Sequence, residues 1–111
     1  MFLLVSHFDG EAAVIDERVR AACALLAEQP TCRSLRFARS TEEAAHAVLV
    51  AEFDTAADYR RALSPFAVRT TVIPWLSTAR VTDSGVFEML AAADGDGSLR
   101  LLEPTVPEPD R

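Results

Sequence analysis

An apolar segment that passes directly into an amphipathic helix constrains the fold of this chain more than any other feature. Residues 47–53 are apolar except for Glu52, which is typical of a strand buried on both faces. Thr55 then provides a side chain that can cap a helix, and Asp58 lies in the first turn, where the helix dipole favours a carboxylate. The apolar side chains that follow share one helical stripe: Tyr59, Ala62, Leu63 and Phe66.

The other periodic segments place this strand–helix unit inside a longer pattern. We predict strands at residues 2–8, 33–39 and 86–92, a first helix at 11–28, and a short helical piece at 67–78 that Pro74 interrupts. The order strand, helix, strand, strand, helix, strand is that of a ferredoxin-like α+β fold, a βαββαβ arrangement with a four-stranded antiparallel sheet. Both helices are then expected on one face of the sheet.

The end of the chain has a different composition from the rest. Residues 94–111 contain two glycines and three prolines and few apolar side chains. We therefore predict one domain over residues 1–93, followed by a loose tail over 94–111. The alternative is that residues 99–102 lie as an arm across a partner subunit.

Composition excludes several classes of protein. The net charge of −6 argues against nucleic acid as a partner, and no apolar run reaches the ~18 residues of a membrane span. Because no basic leader precedes the first strand, a cytoplasmic location is expected. The sequence has no glycine-rich phosphate loop, no histidine pair at metal-ligand spacing and no nucleophile elbow, so neither a metal nor an organic cofactor is expected. Cys23 and Cys32 are expected to be reduced thiols.

The predicted sheet has more apolar surface than two helices can cover. Residues 2–5, 48–51 and 86–90 are apolar on both faces of their strands, whereas the helices cover one face only. An apolar patch of this size is uncommon on a soluble monomer. A second copy packed sheet to sheet would cover it, so we predict a homodimer.

Together with the residues on either side, residues 47–66 resemble the antibiotic biosynthesis monooxygenase family of dimeric α/β barrels. The usual strand of that family reads roughly Trp-Val-Leu-Val-Thr-Glu-Trp, and the helix contains Tyr-Arg-Arg-Ala-Leu. Residues 48–50, Glu52 and residues 59–63 match this form, while Ala47 and Phe53 replace the two tryptophans. A looser likeness extends over residues 2–90. The resemblance implies the same homodimer, with a ligand cavity between the sheet and the helices of each protomer.

The resemblance also implies an activity, the oxygenation of phenolic or quinol-like aromatics without metal or flavin. Such chemistry needs a base, donors that stabilise an anion, and an apolar enclosure. His7 and Glu52 are the candidate catalytic residues, because each is a polar group within an apolar strand. The candidate substrate-binding residues are cations or aromatics of the predicted cavity: Arg36, Arg69, Tyr59, Trp75, Phe37, Phe53, Phe66 and Phe87.

Two other functions remain open at this stage. The chain contains no asparagine, whereas the quinol-oxidising and haem-degrading branches of the family rely on a combination that includes Asn, Trp and His, so haem degradation is not expected. The same barrel can serve as a polyketide cyclase, in which His7 would abstract a proton from a carbon next to a carbonyl. It can also bind a small aromatic metabolite without catalysis.

Overall fold

Four antiparallel strands form the central sheet. In the computed structural model, of which residues 1–105 are described, the strands are β1 (Phe2–Asp9), β2 (Cys32–Arg39), β3 (His46–Phe53) and β4 (Gly85–Glu88). Their order across the sheet is β2–β3–β1–β4, and each neighbouring pair is antiparallel. This is the ferredoxin-like order, so the predicted α+β fold is confirmed.

Three α-helices connect the strands: α1 (Glu17–Ala27), α2 (Ala56–Ala62) and α3 (Phe66–Leu76). The hydroxyl of Thr55 accepts a hydrogen bond from the amide of Asp58, as the sequence predicts for the cap of α2. The first helix begins later than predicted, because the carboxylate of Asp16 caps it by accepting from the amide of Val19. The preceding residues, Gly10–Ala13, form a separate 3-10 turn. None of the helices in the described part of the chain is long and apolar enough to cross a membrane.

Pro74 does not interrupt its helix, which corrects the prediction from sequence. Helix α3 continues through Pro74 and ends at Leu76. Proline at this position removes the amide that would otherwise donate to the carbonyl of Thr70. Thr70 is exposed, so water can satisfy that carbonyl, and the helix ends within one turn.

The last predicted strand is divided in two. Strand β4 ends at Glu88, and a short hairpin follows, formed by β5 (Ala91–Ala92) and β6 (Arg100–Leu101). The amide of Leu102 donates to the carbonyl of Leu90 at 3.0 Å, which fastens the hairpin next to the end of β4. Part of the predicted tail is therefore paired, and residues 106–111 lie outside the described residues.

The core lies between the sheet and the helices. The side chains that alternate along β1 and β3 toward the helices are buried, among them Leu4, Phe8, Leu49 and Phe53. Trp75 of α3 lies parallel to Phe8, with ring centroids 4.4 Å apart and planes 4° from parallel. Its indole nitrogen donates to the carbonyl of Ala12 at 3.1 Å, so the one polar atom of the ring is satisfied within the core.

The opposite face of the sheet is covered by no helix in the described part of the chain. We call it the open face. Its residues alternate with the core residues and are only partly buried: Leu3, Val5, His7, Val48, Val50 and Glu52. The observed alternation therefore agrees with the sequence, which has more apolar strand positions than the helices can cover.

The structure of the core predicts that two substitutions change the free energy of unfolding by very different amounts. Phe8→Ala removes a ring with no exposed surface, so we expect it to lower the free energy of unfolding by about 3–5 kcal/mol. The control is Val81→Ala, at a side chain that is 96% exposed, which should change it by less than about 0.5 kcal/mol. Urea unfolding followed by circular dichroism measures both. Equal midpoints for the two variants would contradict this description of the core.

Candidate functional site

A groove on the helix-covered face combines apolar walls with several polar groups. It lies between β1, β4 and the segment that follows α3, and its volume is about 330 Å³. Ligand pockets of a few hundred cubic ångströms with a few convergent polar groups are the usual form of a small-molecule site. Apolar atoms of Leu4, Leu76 and Val86 form its walls. Its polar groups come from five residues: Ser6, Tyr59, Ser77, Arg80 and Ser84.

Ser6 is the most buried polar residue of this groove. It lies in the middle of β1, on the same face as Leu4 and Phe8, and only 4% of its surface is exposed. Its hydroxyl makes no hydrogen bond with any of residues 1–105, and it lines the groove. No fully buried side-chain nitrogen or oxygen in residues 1–105 lacks a hydrogen-bond partner, so the Ser6 hydroxyl is open to the groove. A ligand atom in the groove can form a hydrogen bond with it.

Tyr59 reaches the groove from α2. Its ring packs edge-on against Phe53, with centroids 5.5 Å apart and planes at 72°. Partial burial raises the pKa of the Tyr59 phenol above its ordinary value, so the hydroxyl stays protonated at neutral pH. Tyr59 is therefore a hydrogen-bond donor on the same side of the sheet as Ser6.

Arg80 lines the groove, and Asp9 at the end of β1 holds its guanidinium. Nε and Nη2 of Arg80 donate to the two carboxylate oxygens of Asp9 at 2.6 and 2.7 Å. This hydrogen bond is the largest cause that lowers the pKa of Asp9 to about 2, and it raises the pKa of Arg80. The amide of Arg80 also donates to the carbonyl of His7 at 2.8 Å. Both the backbone and the guanidinium are therefore attached to β1.

The two candidate catalytic residues lie on the open face, away from this groove. The register pairs His7 with Val48 and Glu52 with Leu3, which places both side chains opposite to Ser6. Nδ1 of His7 is 3.1 Å from Nε2 of His46. A ligand in the groove does not contact His7 or Glu52. A catalytic role for either stays a prediction, and it requires a ligand on the other face.

The candidate substrate-binding residues are dispersed over the molecule. Of this set, Tyr59 lines the groove, whereas Trp75 and Phe53 are core residues with 2% and 0% of their surface exposed. Phe66 and Phe87 are 74% and 49% exposed, on α3 and β4 respectively. The two arginines, Arg36 on β2 and Arg69 on α3, are also exposed. The structure therefore does not gather these aromatics into one cavity.

Phe37 lies beside a second pocket, at the β2 side of the helix-covered face. This pocket has a volume of about 400 Å³, with Ala13, Val14 and Ile15 on one side and Phe37 on the other. Arg39 is the only charged residue that lines it. The second pocket therefore offers an apolar surface but fewer hydrogen-bonding groups than the groove.

Within residues 1–105, no cluster of three or more His, Cys, Asp or Glu side chains is arranged to hold a metal ion. The thiols of Cys23 and Cys32 are free, and burial raises the pKa of each. Neither thiol is therefore activated for nucleophilic chemistry.

Sequence reasoning missed Ser6 and Arg80 as site residues. Ser6 carries a detectable signal, because it and His7 are the two polar residues between the apolar positions of β1, and Ser6 shares its alternation with Leu4 and Phe8. Arg80 carries none. It meets Asp9 across 71 positions of sequence, in a loop that no periodic pattern describes.

Several solved structures with the same architecture are described as antibiotic biosynthesis monooxygenases or as a cofactor-independent oxygenase. No protein-family model and no curated protein sequence matches the chain. The crystal structure of an antibiotic biosynthesis monooxygenase matches with a TM-score of 0.60 at 14% identity, over 94% of this chain and 100% of that one. SnoaB, a cofactor-independent oxygenase from Streptomyces nogalater, matches with a TM-score of 0.65 at 19% identity, over 87% of this chain and 97% of SnoaB.

A proposed antibiotic biosynthesis monooxygenase from Deinococcus radiodurans matches in the same way. The TM-score is 0.65 at 11% identity, over 85% of this chain and 97% of that one. Identities this low establish a shared architecture and say nothing by themselves about the reaction. The resemblance read from the sequence is thus confirmed for the fold, and the chain has the fold of the antibiotic biosynthesis monooxygenases.

Proposed function

We propose that this chain is a cofactor-independent monooxygenase that acts on a phenolic or quinol-like aromatic of the polyketide type. The observation that carries the proposal is the groove, in which the polar residues Ser6, Tyr59 and Arg80 line a space with apolar walls. The fold it shares with SnoaB, described as a cofactor-independent oxygenase, supports the same activity. We also retain the prediction of a cytoplasmic location.

The proposed chemistry uses the substrate's own electrons. An anthrone-type substrate loses a proton to give an electron-rich anion, which reacts with dioxygen. One oxygen atom then becomes the new carbonyl of the product, and the other leaves as water with the two hydrogens of the oxidised carbon. The protein must stabilise the anion and exclude water from the oxygenated intermediate.

Each group of the groove has a role in this scheme. Tyr59 and Ser6 donate hydrogen bonds to the phenolic or enolic oxygen of the substrate. Arg80 lines the same space, with its guanidinium bound to Asp9. Leu4, Leu76 and Val86 contact the rings of the substrate. Hydrogen bonds to charged groups are worth about 1.5–3 kcal/mol each.

Among the described residues, the groove offers donors but no base, since its lining contains no histidine and no carboxylate. The proton of a substrate in the groove therefore leaves to water, and His7 acts as base only if the substrate binds on the open face. The same observation favours a second candidate function, a protein that binds a small aromatic without catalysis. It weighs equally against the cyclase and the oxygenase, because each must remove a proton from carbon.

We expect purified protein to consume dioxygen with an anthrone as substrate in the presence of a chelator. Ser6→Ala and Tyr59→Phe should each lower kcat/KM by roughly 10- to 100-fold, since each removes one hydrogen bond to a developing anion. Ser98→Ala, at an exposed serine outside the groove, is the matched control. An oxygen electrode and product analysis measure the rates.

Three outcomes would contradict parts of this proposal. A loss of ~10²-fold in His7→Ala with Ser6→Ala and Tyr59→Phe unaffected would move the site to the open face. Product formed equally well without dioxygen would indicate the cyclase. Binding of aromatics that Tyr59→Phe weakens, with no turnover of any substrate, would indicate the non-catalytic function.

We further propose that the open face forms the interface of a homodimer. Val5, Val48 and Val50 are adjacent across β1 and β3, and together with Leu3 they present a partly exposed apolar surface. Packing two such sheets face to face buries this surface, and a specific interface of this kind exceeds ~1,000 Å².

Light scattering should therefore give twice the chain mass of 12.1 kDa at micromolar concentration. Val50→Arg places a charge at the centre of the interface, so we expect it to give a monomer. Val81→Arg is the control, because Val81 is 96% exposed and lies outside the open face. A monomeric wild-type protein, or a Val50→Arg variant that stays dimeric, would contradict the proposed interface.

A further inference from the structure

The second pocket, at the β2 side of the helix-covered face, lies beside the segment that precedes the first helix. Residues Gly10–Ala13 form a 3-10 turn, and Val14 leaves it in an extended conformation, with φ −86° and ψ 129°. Helix α1 begins only at Glu17. A concavity of about 400 Å³ remains between this extended segment and the end of β2, with Phe37 and Ala44 on its far side.

The walls of the second pocket are apolar and accessible. Val14 and Ile15 are 56% and 48% exposed, although both are large apolar residues and adjacent in sequence. On the other side, the Phe37 ring is held by Phe8 and Trp75, whose ring centroids are 6.4 and 5.8 Å away. Single exposed apolar side chains are common on proteins, whereas apolar side chains gathered around a concavity are typical of a ligand site.

The register of the sheet places one cation on the same face as this pocket. Phe37 pairs with Leu49, and Arg39 pairs with Ala47, across β2 and β3. Both partners on β3 have no exposed surface and belong to the core. Side chains directly opposite each other share a face of the sheet, so Phe37 and Arg39 also extend from the helix-covered face. The register therefore agrees with the lining of the second pocket, which includes Arg39.

Arg39 has no anionic partner among residues 1–105. Its side chain forms no ion pair and no hydrogen bond with any of them, including Glu42 and Glu43 in the loop that follows β2. Within the described part of the chain, the pocket lining contains no carboxylate and no hydroxyl group. A carboxylate is the group that a planar guanidinium binds best, through two parallel hydrogen bonds.

We propose that the second pocket is a binding site for a carboxylate with an apolar chain. The carboxylate pairs with Arg39, and the chain lies between Val14 and Ile15 on one side and Phe37 on the other. This site is separate from the groove, and the inference does not rest on the proposed function. The groove offers hydroxyl groups to a phenolic oxygen, whereas the second pocket offers one guanidinium and apolar walls.

The affinity of such a ligand comes mainly from its chain, and its selectivity from Arg39. Each methylene that is fully buried between the walls strengthens binding by up to about fourfold. Arg39 is exposed, so water and salt weaken its attraction for a carboxylate. We therefore expect the charge to contribute about threefold to tenfold in affinity.

Octanoate and 1-octanol test the proposal by calorimetry at pH 7.5. The measured quantity is the Kd of 1-octanol divided by the Kd of octanoate, because this ratio cancels the contribution of the shared chain. Arg39→Gln should lower the ratio about threefold to tenfold and change the Kd of 1-octanol by less than about twofold. Arg36→Gln is the matched control, since Arg36 pairs with Val50 and extends from the opposite face of the same strand. It should leave the ratio unchanged.

Ala44→Trp tests the location of the site. Ala44 is exposed and lines the pocket, so a tryptophan there fills the space without changing the core. It should weaken both ligands by about tenfold or more and leave the thermal unfolding midpoint unchanged. Tyr59→Phe, in the groove, should weaken neither. In a ¹⁵N correlation spectrum of wild-type protein, octanoate should shift the amides of residues 13–15, 37 and 39.

Three results would overturn the inference. They are a ratio that Arg39→Gln leaves unchanged, octanoate shifts confined to groove residues such as Ser6 and Tyr59, and no binding of either ligand at millimolar concentration. None of these results bears on oxygenation of an aromatic in the groove, so failure of this inference is distinguishable from failure of the proposed function.

Discussion

The pairing of β1 with β3 is the interaction on which the rest of this structure depends. Its register runs from Phe2 opposite Phe53 to Asp9 opposite His46. Because side chains alternate between the two faces of a strand, a shift of one residue would exchange every core residue for one on the open face. The same register places Ser6 in the groove, His7 on the open face, and Asp9 beside His46. Core, groove and histidine pair are thus consequences of one alignment.

The elements and their order could be predicted from the sequence, but the face that each strand residue occupies could not. Apolar periodicity and the Thr55 cap identified the strands and helices, since these signals are local. In β1, however, Leu3 and Leu4 are both apolar, so the pattern does not show which of them the helices cover. The sequence therefore predicts His7 as a catalytic residue without showing which face it occupies, and the structure gives the buried position to its neighbour Ser6.

Other parts of the site escaped prediction because they depend on distant contacts. Trp75 was expected to line an opening, on the assumption that Pro74 ends the helix. The helix continues instead, and the ring packs on Phe8 in the core. Arg80 is held beside β1 by its amide, which donates to the carbonyl of His7, and by Asp9, which binds its guanidinium. Local sequence does not encode such a contact, although both residue types are visible in it.

The ligand site that we propose is the groove beside Ser6, Tyr59 and Arg80. A crystal structure of the protein with a bound hydroxynaphthalene tests it most directly. We expect the rings of the ligand to lie between Leu4, Leu76 and Val86. The ligand hydroxyl should be within hydrogen-bonding distance of Ser6 Oγ and Tyr59 Oη. A ligand bound beside His7 on the open face, or in the pocket at Phe37, would contradict it.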